Sequence, residues 1–154
     1  MAPNGKFPRP VEILLVEDSP TDADLTRIAL QDGPVATNLH HVVDGVEALR
    51  FLRHEHGFET APRPDLVLLD LKMPRMDGHQ LLDELRRDRD LKSLVIVVLS
   101  TSIDDNDVCR AYDANVNLYI QKPVELEPFL DIVSRLEHLF FNVATLPTTV
   151  SRGE

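Results

Sequence analysis

Three observations predict a doubly wound α/β fold with a five-stranded parallel sheet in the order 2-1-3-4-5. Strand-like and helix-like patterns alternate without a break from Val11 to about Asn142. Three runs, Ile13-Leu14-Leu15-Val16, Leu66-Val67-Leu68-Leu69 and Leu94-Val95-Ile96-Val97-Val98-Leu99, are continuously apolar, as strands covered on both faces should be. The other two strand candidates are polar or short, which suits the two edges of that strand order. Right-handed crossovers then place helices on both faces of the sheet.

The elements follow in order along the chain. A first strand is expected near 11–16. Ser19-Pro20 opens a helix, with Ser19 as N-cap, proline in the first turn and Asp22 at the capping-box position. The second strand, 38–43, carries Asn38, His40 and His41 and reads as an edge. Asp44 with Glu47 repeats the cap pattern at the second helix. Residues 54–64, with Gly57, Pro62 and Pro64, form a flexible surface connection to a third strand at 65–69. Asp77 with Gln80 caps the third helix before Leu81-Leu82. A fourth strand at 94–99 leads to Ser102 with Asp105, which opens a helix toward Val108 and Ala111. Cys109 on that helix is expected to fill core space. A short fifth strand at 117–121 and, after Pro123, a last helix from Glu125 to about Asn142 complete five β/α units. The domain is expected over residues 11–143, with a loose N-terminal arm over 1–10 and a C-terminal tail over 144–154 that is disordered from Pro147.

Composition narrows the function classes. The 154 residues suffice for one domain with a full core. Hydrophobic residues at 43% and charged residues at 27% are ordinary for a globular chain, and no apolar run approaches bilayer length. The N-terminal stretch has no apolar segment of the signal-peptide kind, so a cytoplasmic location is expected. A single cysteine excludes an internal disulfide and a Cys-rich metal site. A net charge of −10, without a Lys/Arg stripe, argues against nucleic-acid binding.

The ends of the strands carry the chemistry. The first apolar run stops at Glu17-Asp18, the third strand at Asp70, the fourth at Ser100, and the fifth, after Gln121, at Lys122-Pro123. In an open parallel sheet these ends converge on one crevice at the switch point between the first and third strands. Three carboxylates held a few ångströms apart repel one another, and a hard divalent cation such as Mg²⁺ relieves that repulsion. The backbone carbonyl of Lys72, two positions past Asp70, is a further candidate ligand. Asp70 is the candidate nucleophile, able to hold a phosphoryl group as an acyl phosphate. Lys122 would supply a second positive charge and Ser100 a hydroxyl donor to a phosphoryl oxygen. Singly, each has an ordinary use as cap, turn former or surface charge; the argument is that four separate strand ends supply compatible groups.

The stretches Leu15-Val16-Glu17-Asp18-Ser19, Leu68-Leu69-Asp70-Leu71-Lys72-Met73-Pro74-Arg75-Met76-Asp77-Gly78, Leu99-Ser100-Thr101 and Tyr119-Ile120-Gln121-Lys122-Pro123 resemble the receiver domain of two-component response regulators. The resemblance covers roughly residues 10–140 and implies a flavodoxin-like (βα)5 fold. It implies Asp70 as phospho-acceptor, with Asp18, Asp70 and the Lys72 carbonyl on Mg²⁺ and Glu17 completing the acid pair. It also implies Ser100 and Tyr119 as a switch pair and Lys122 as the phosphate-sensing lysine, and it raises the expectation of a cis Lys122–Pro123 bond. More narrowly, the Glu-Asp-Ser-Pro-Thr-Asp-Ala-Asp opening, the Ala-Pro-Arg-Pro-Asp segment and the Leu-Ser-Thr-Ser stretch are similar to stand-alone regulators that serve phytochrome histidine kinases. The implied protein takes a phosphoryl group from a histidine kinase, with no room for a DNA-binding output domain, and signals by protein contact. On phosphorylation Ser100 would move toward the new oxygens and Tyr119 would turn inward; the plainer alternative is a fixed, half-buried tyrosine.

Two other readings stay open. A phosphohydrolase with an aspartyl-phosphate intermediate commonly needs a second carboxylate two residues past the nucleophile, where this chain has Lys72. A non-phosphorylated interaction module of the same fold would be expected to lack the acid pair, acceptor or lysine. The last helix adds an expectation of its own. Phe129, Val133, Leu136, Phe140 and Val143 share a face, which Leu126, Leu130 and Phe141 widen to about 200° at ~100° per residue. That width predicts a homodimer through the last helix and the surface of the fourth helix, fifth strand and fifth helix; cover by Ala144-Thr145-Leu146 is the alternative. The six histidines are assigned surface or structural roles, and Met73 and Met76 are expected to pack in the loop after the third strand.

Overall fold

The computed structural model describes residues 9–33, 35–143 and 145–147; the N-terminal arm up to residue 8 and the tail beyond Pro147 lie outside the described residues. Strands β1 (Val11–Val16), β2 (Thr37–Val42), β3 (Leu66–Leu69), β4 (Ile96–Ser100) and β5 (Leu118–Gln121) alternate with helices α1 (Pro20–Gln31), α2 (Gly45–Leu52), α3 (Gly78–Arg87), α4 (Asp105–Asp113) and α5 (Leu126–His138). All pairings are parallel and the order is β2-β1-β3-β4-β5, as expected from the pattern of apolar runs.

Alternation within the strands divides the core in two. Leu14, Val16, Val67, Leu69, Ile96 and Val98 face the layer of α2, α3 and α4. Ile13, Leu15, Leu66, Leu68, Val97 and Leu99 face the other layer, where α1 and α5 pack on each other. The central strands β1, β3 and β4 are buried almost throughout, whereas β2 and β5 are largely half-buried, as edges should be.

Helix starts follow local chemistry, with one revision. Ser19 Oγ accepts from the Asp22 amide, Asp44 from the Glu47 amide, and Asp77 with Gln80 forms a full reciprocal capping box. The fourth helix is capped by Asp104, not Ser102, because Asp104 accepts from the Asn106 amide while the Ser102 hydroxyl is committed to Asp107. Cys109 does not fill core space: α4 buries only Ala111, and Cys109 faces solvent. No cis peptide bond occurs among the described residues, so the expectation of a cis Lys122–Pro123 bond is not met.

The last helix ends earlier than its apolar stripe. After His138 the chain makes a π-helical turn, Leu139–Val143, whose wider winding carries both Phe140 and Phe141 into the core. Phe141 has no exposed surface. Leu146 packs on the same cluster, so much of the stripe's width is covered within the chain. The connection 54–64 holds three left-handed residues, His54, His56 and Gly57, and packs Phe58 and Ala61 against the core.

Candidate functional site

The crevice lies where β1 and β3, neighbours in the sheet, deliver their C-terminal ends. The Asp70 amide donates to the Val16 carbonyl at 3.0 Å, so Asp70 sits beside the residues that follow β1. Single ligand atoms of Glu17, Asp18 and Asp70 all lie within 4.8 Å of one another. Asp18 is exposed, Asp70 half-buried and Glu17 buried. Both Glu17 oxygens are engaged, one with Lys122 Nζ at 2.7 Å and the other accepting from the Ser19 amide at 3.2 Å. The more open carboxylates are therefore Asp18 and Asp70. Three oxygen donors this close suit a hard divalent cation, since without one they repel each other.

Lys122 enters from the fifth strand. Its amide donates to the Ser100 carbonyl at 2.7 Å, which fixes the residue at the end of β4 and aims the side chain into the acids. The ammonium is buried, 2.7 Å from Glu17, 2.9 Å from Asp22 and 3.6 Å from Asp70. Burial pushes the Glu17 carboxyl up to about 7; the Lys122 hydrogen bond opposes that rise and the Asp70 charge adds to it. Burial also works against the Lys122 charge, but the hydrogen bonds it donates to Glu17 and Asp22 and the charge of Asp70 outweigh that and raise its pKa. The lysine is thus a fixed positive charge in an acidic pocket.

Close backbone approach shapes the loop after Asp70. A Cβ on Gly78 would meet the Asp70 carbonyl oxygen at 2.8 Å and the Leu71 Cα at 2.7 Å, so only glycine lets α3 start here. The Gly78 amide donates to the Leu71 carbonyl at 2.8 Å. Farther along, Arg75 adopts a left-handed φ of 61° and its Nε donates to Asp44 Oδ2 at 2.6 Å. Burial would raise the Asp44 carboxyl, but Arg75 and the Glu47 amide hold it below the usual range. The Met76 carbonyl accepts from the Gly45 amide at 2.9 Å, and Met73 and Met76 pack on the core, so the loop is tied to the start of α2. The Lys72 side chain is exposed, and its amide leans toward Asp70 Oδ1 at 3.4 Å.

Ser100 is fully buried at the end of β4, with its hydroxyl accepting from the Ser102 amide at 3.2 Å. Tyr119 is not at a matching strand end: it pairs with Val98, and Ser100 pairs with Gln121. Its side chain instead climbs toward the loop after β4, where the hydroxyl donates to the Ser102 carbonyl at 2.8 Å. The ring is half-buried and packs against the core. A polar chain continues from this point. Ser102 Oγ donates to Asp107 Oδ2 at 2.6 Å, and His79 Nε2 lies 2.9 Å from Asp107 Oδ1. Hydrogen bonds from Ser102 and His79 hold the Asp107 carboxyl below its usual range.

The structure thus brings together Glu17, Asp18, Asp70, Ser100 and Lys122 and keeps Tyr119 at the rim. Sequence reasoning missed Asp22 as a Lys122 partner, the Arg75–Asp44 tie and the His79–Asp107–Ser102 chain. His41 also touches the site: its Nε2 lies 2.6 Å from the Glu17 carbonyl oxygen and donates to it.

Comparison with known proteins gives the family. The family model described as response regulator receiver domain matches residues 13–134. Response regulator Rcp1 of Synechocystis sp. is 38% identical over 138 residues, covering 90% of this chain and 94% of that protein. Among solved structures, the phosphorylated cyanobacterial phytochrome response regulator RcpA superposes with a TM-score of 0.88 at 41% identity, covering 91% of this chain and all of that one. The Mn²⁺-bound form of Rcp1 superposes with a TM-score of 0.86 at 37% identity, over 90% of this chain and all of that one.

Proposed function

The chain belongs to the response regulator receiver family, homologous to phytochrome response regulators, and on that premise we propose that it accepts a phosphoryl group from a histidine kinase on Asp70. The observation that carries this reading is the cluster of Glu17, Asp18 and Asp70 oxygens with the Lys122 ammonium 3.6 Å from Asp70. Receiver domains bind a divalent metal and work with histidine kinases; in this chain the metal is proposed to be Mg²⁺, held by Asp18, Asp70 and the Lys72 carbonyl, with Glu17 contributing charge. Bound there, it would supply positive charge against the phosphoryl oxygens. The chain's own groups do the rest. An Asp70 carboxylate oxygen attacks phosphorus, the P–N bond to the donor histidine breaks, and the imidazole leaves with the bonding pair. Lys122 and the Ser100 hydroxyl meet the transferred oxygens. Signalling by contact, rather than turnover of a substrate, is the output; Lys72 stands where a phosphohydrolase of this kind would need an acid.

Ser100 and Tyr119 form the proposed switch. Phosphorylation would draw Ser100 toward the new oxygens and so move the loop whose Ser102 carbonyl holds the Tyr119 hydroxyl, letting the tyrosine turn farther inward. The proposed donor is a phytochrome kinase, on the strength of the Rcp1 and RcpA likenesses. A homodimer through α5 and the face of α4, β5 and α5 is supported by what remains exposed there, Tyr112, Leu126 and Leu139; a single monomer mass in light scattering, with and without phosphorylation, would remove it. No helix among the described residues is long and apolar enough to cross a membrane, and a cytoplasmic place is the proposed one.

The test of the central reading is incubation with candidate kinases, Mg²⁺ and labelled ATP. Label should appear on the wild type and be absent from Asp70→Asn. Label on the variant at wild-type level would remove Asp70 as the acceptor.

A further inference from the structure

Asp22 is one residue too many for a helix cap. At position N3 of α1 its carboxylate would ordinarily turn back to the Ser19 amide. That amide is already taken by Glu17 Oε2 at 3.2 Å. Asp22 instead points across to Lys122, with Oδ2 2.9 Å from Nζ. Its backbone is gripped as well: the Asp22 amide donates to Ser19 Oγ at 3.3 Å, and the Asp22 carbonyl accepts from the buried Thr26 hydroxyl at 2.9 Å. The carboxylate is therefore presented from a fixed first turn, not from a wandering side chain.

An ammonium has three hydrogens to donate. Here Glu17 and Asp22 take two at hydrogen-bonding distance, and Asp70, the proposed acceptor, stands farther off at 3.6 Å. Glu17 lies within the acid cluster itself, but Asp22 does not: it pulls the ammonium toward α1. A phosphoryl group on Asp70 would bring new anionic oxygens to the side of Lys122 that Asp22 does not occupy.

We propose that Asp22 is a positioning residue that competes with the phosphoryl group on Asp70 for the Lys122 ammonium and so weakens the hold of the site on that group. The inference rests on the reading of Asp70 as acceptor. It requires that Lys122 either shares its donors with the phosphoryl oxygens or leaves Asp22 to reach them. In both cases the Asp22 charge, 2.9 Å from the ammonium, opposes the arrival of another anion.

The test uses beryllofluoride, formed from beryllium and fluoride salts, as an analogue of the phosphoryl group on the full chain at saturating Mg²⁺. Affinity is read by ¹⁹F NMR titration. Asp22→Asn keeps size and helix position and removes the charge; it should bind about fivefold more tightly, the scale of one weakened charge-assisted hydrogen bond. Asp22→Ser is a second uncharged replacement should the first fold poorly, and Asp22→Glu should return affinity toward the wild type. Asp24→Asn removes the same charge from an exposed residue of the same helix that forms no ion pair with Lys122, and should leave affinity unchanged. A role confined to helix stability would lower the melting temperature of Asp22→Asn without tightening binding. Unchanged or weaker binding by both uncharged variants, or an equal gain in Asp24→Asn, overturns the proposal. Failure of the wild type itself to bind beryllofluoride would overturn the reading of Asp70 first and this inference with it.

Discussion

Two glutamates are buried to the same extent at opposite ends of this molecule, and they differ in what surrounds them. Glu17 and Glu137 each retain 4% of their exposure, and burial pushes each carboxyl up to about 7. Glu17 has Lys122 at 2.7 Å, the Ser19 amide and two neighbouring acids. Glu137, in the last turn of α5, packs on Gly33 just after α1, and its Oε2 has no hydrogen-bond partner among the described residues. A Cβ at Gly33 would meet this carboxylate, so a larger residue there would displace the flexible end of the Glu137 side chain. Burial and a raised pKa are therefore shared by a site and a non-site. What distinguishes the strand-end crevice is the compensating cation and the convergence of groups from several elements.

The largest effect should come from making Glu17 resemble Glu137. Lys122→Met removes the compensating charge and leaves a buried acid unpaired. Urea unfolding at pH 8 should show a loss of about 3 kcal/mol, the scale of a broken buried ion pair. The loss should shrink at pH 5, where Glu17 is protonated, and Glu17→Gln in the same chain should restore much of it. A pH-independent loss would mean that Lys122 acts there through packing alone.

Glu137→Gln makes the converse change. The unfolded carboxyl titrates near its ordinary 4.5 and the folded one near 7. Below 4.5 both states carry the proton and burial exacts no ionic cost. Between 4.5 and about 7 the unfolded state gives up its proton first, so stability falls as pH rises, and the deficit is complete above 7. The amide removes the titration, so the variant should be more stable than the wild type by roughly 3 kcal/mol at pH 8 and no different at pH 3. Beryllofluoride binding should not change. A stability gain that persists undiminished at low pH would show that the carboxylate is not the source of the cost.

Mg²⁺ should separate the two regions in the same unfolding experiment. At tenfold over its dissociation constant it should add about 1.4 kcal/mol to the wild type. Glu137→Gln should keep that increment and Asp70→Asn should lose most of it. Equal stabilisation of Asp70→Asn would place the ion away from the crevice.

The contrast also explains what the sequence made legible. Glu17, Asp18, Asp70, Ser100 and Lys122 each follow an apolar strand, and a parallel sheet leaves such residues little choice but to meet. The strand order was readable for the same reason, because the polar residues of β2 and the shortness of β5 mark edges. The contacts that were not readable join side chains with no shared motif. Asp22 has the sequence of a cap, and only the prior claim of Glu17 on the Ser19 amide frees it for Lys122. His79 and Asp107 meet only because α3 and α4 are neighbours. Around α4, Asp104-Asp105-Asn106-Asp107 offers several residues able to cap, so Ser102 and Asp104 could not be told apart by type. Phe141 defeats a 100° periodicity because the π-helical turn changes the winding just before it. Glu137 gave no signal at all: an acid in the last turn of a helix looks like solvated surface until α1 closes over it.

Tyr119→Phe is the smallest change and asks whether the polar chain at the rim behaves like Glu17 or like Glu137. Burial raises the Tyr119 pKa, so its hydroxyl is a proton donor throughout the neutral range, and its bond to the Ser102 carbonyl is satisfied. The far end of the chain is less complete. With His79 Nε2 donating to Asp107, the buried Nδ1 has no hydrogen-bond partner among the described residues. Removing one hydroxyl should cost about 0.5–1 kcal/mol in stability, since the half-buried Ser102 carbonyl can turn to water. If the chain belongs to the site, amide hydrogen exchange over residues 101–113 should slow on adding beryllofluoride to the wild type, and that slowing should be lost in Tyr119→Phe. If it is a structural filling like Glu137, the variant should show the small stability loss and the same slowing as the wild type. The two outcomes differ even if the stability change is the same, because only a residue coupled to Asp70 through Ser100 and Ser102 has anything to lose when the analogue arrives.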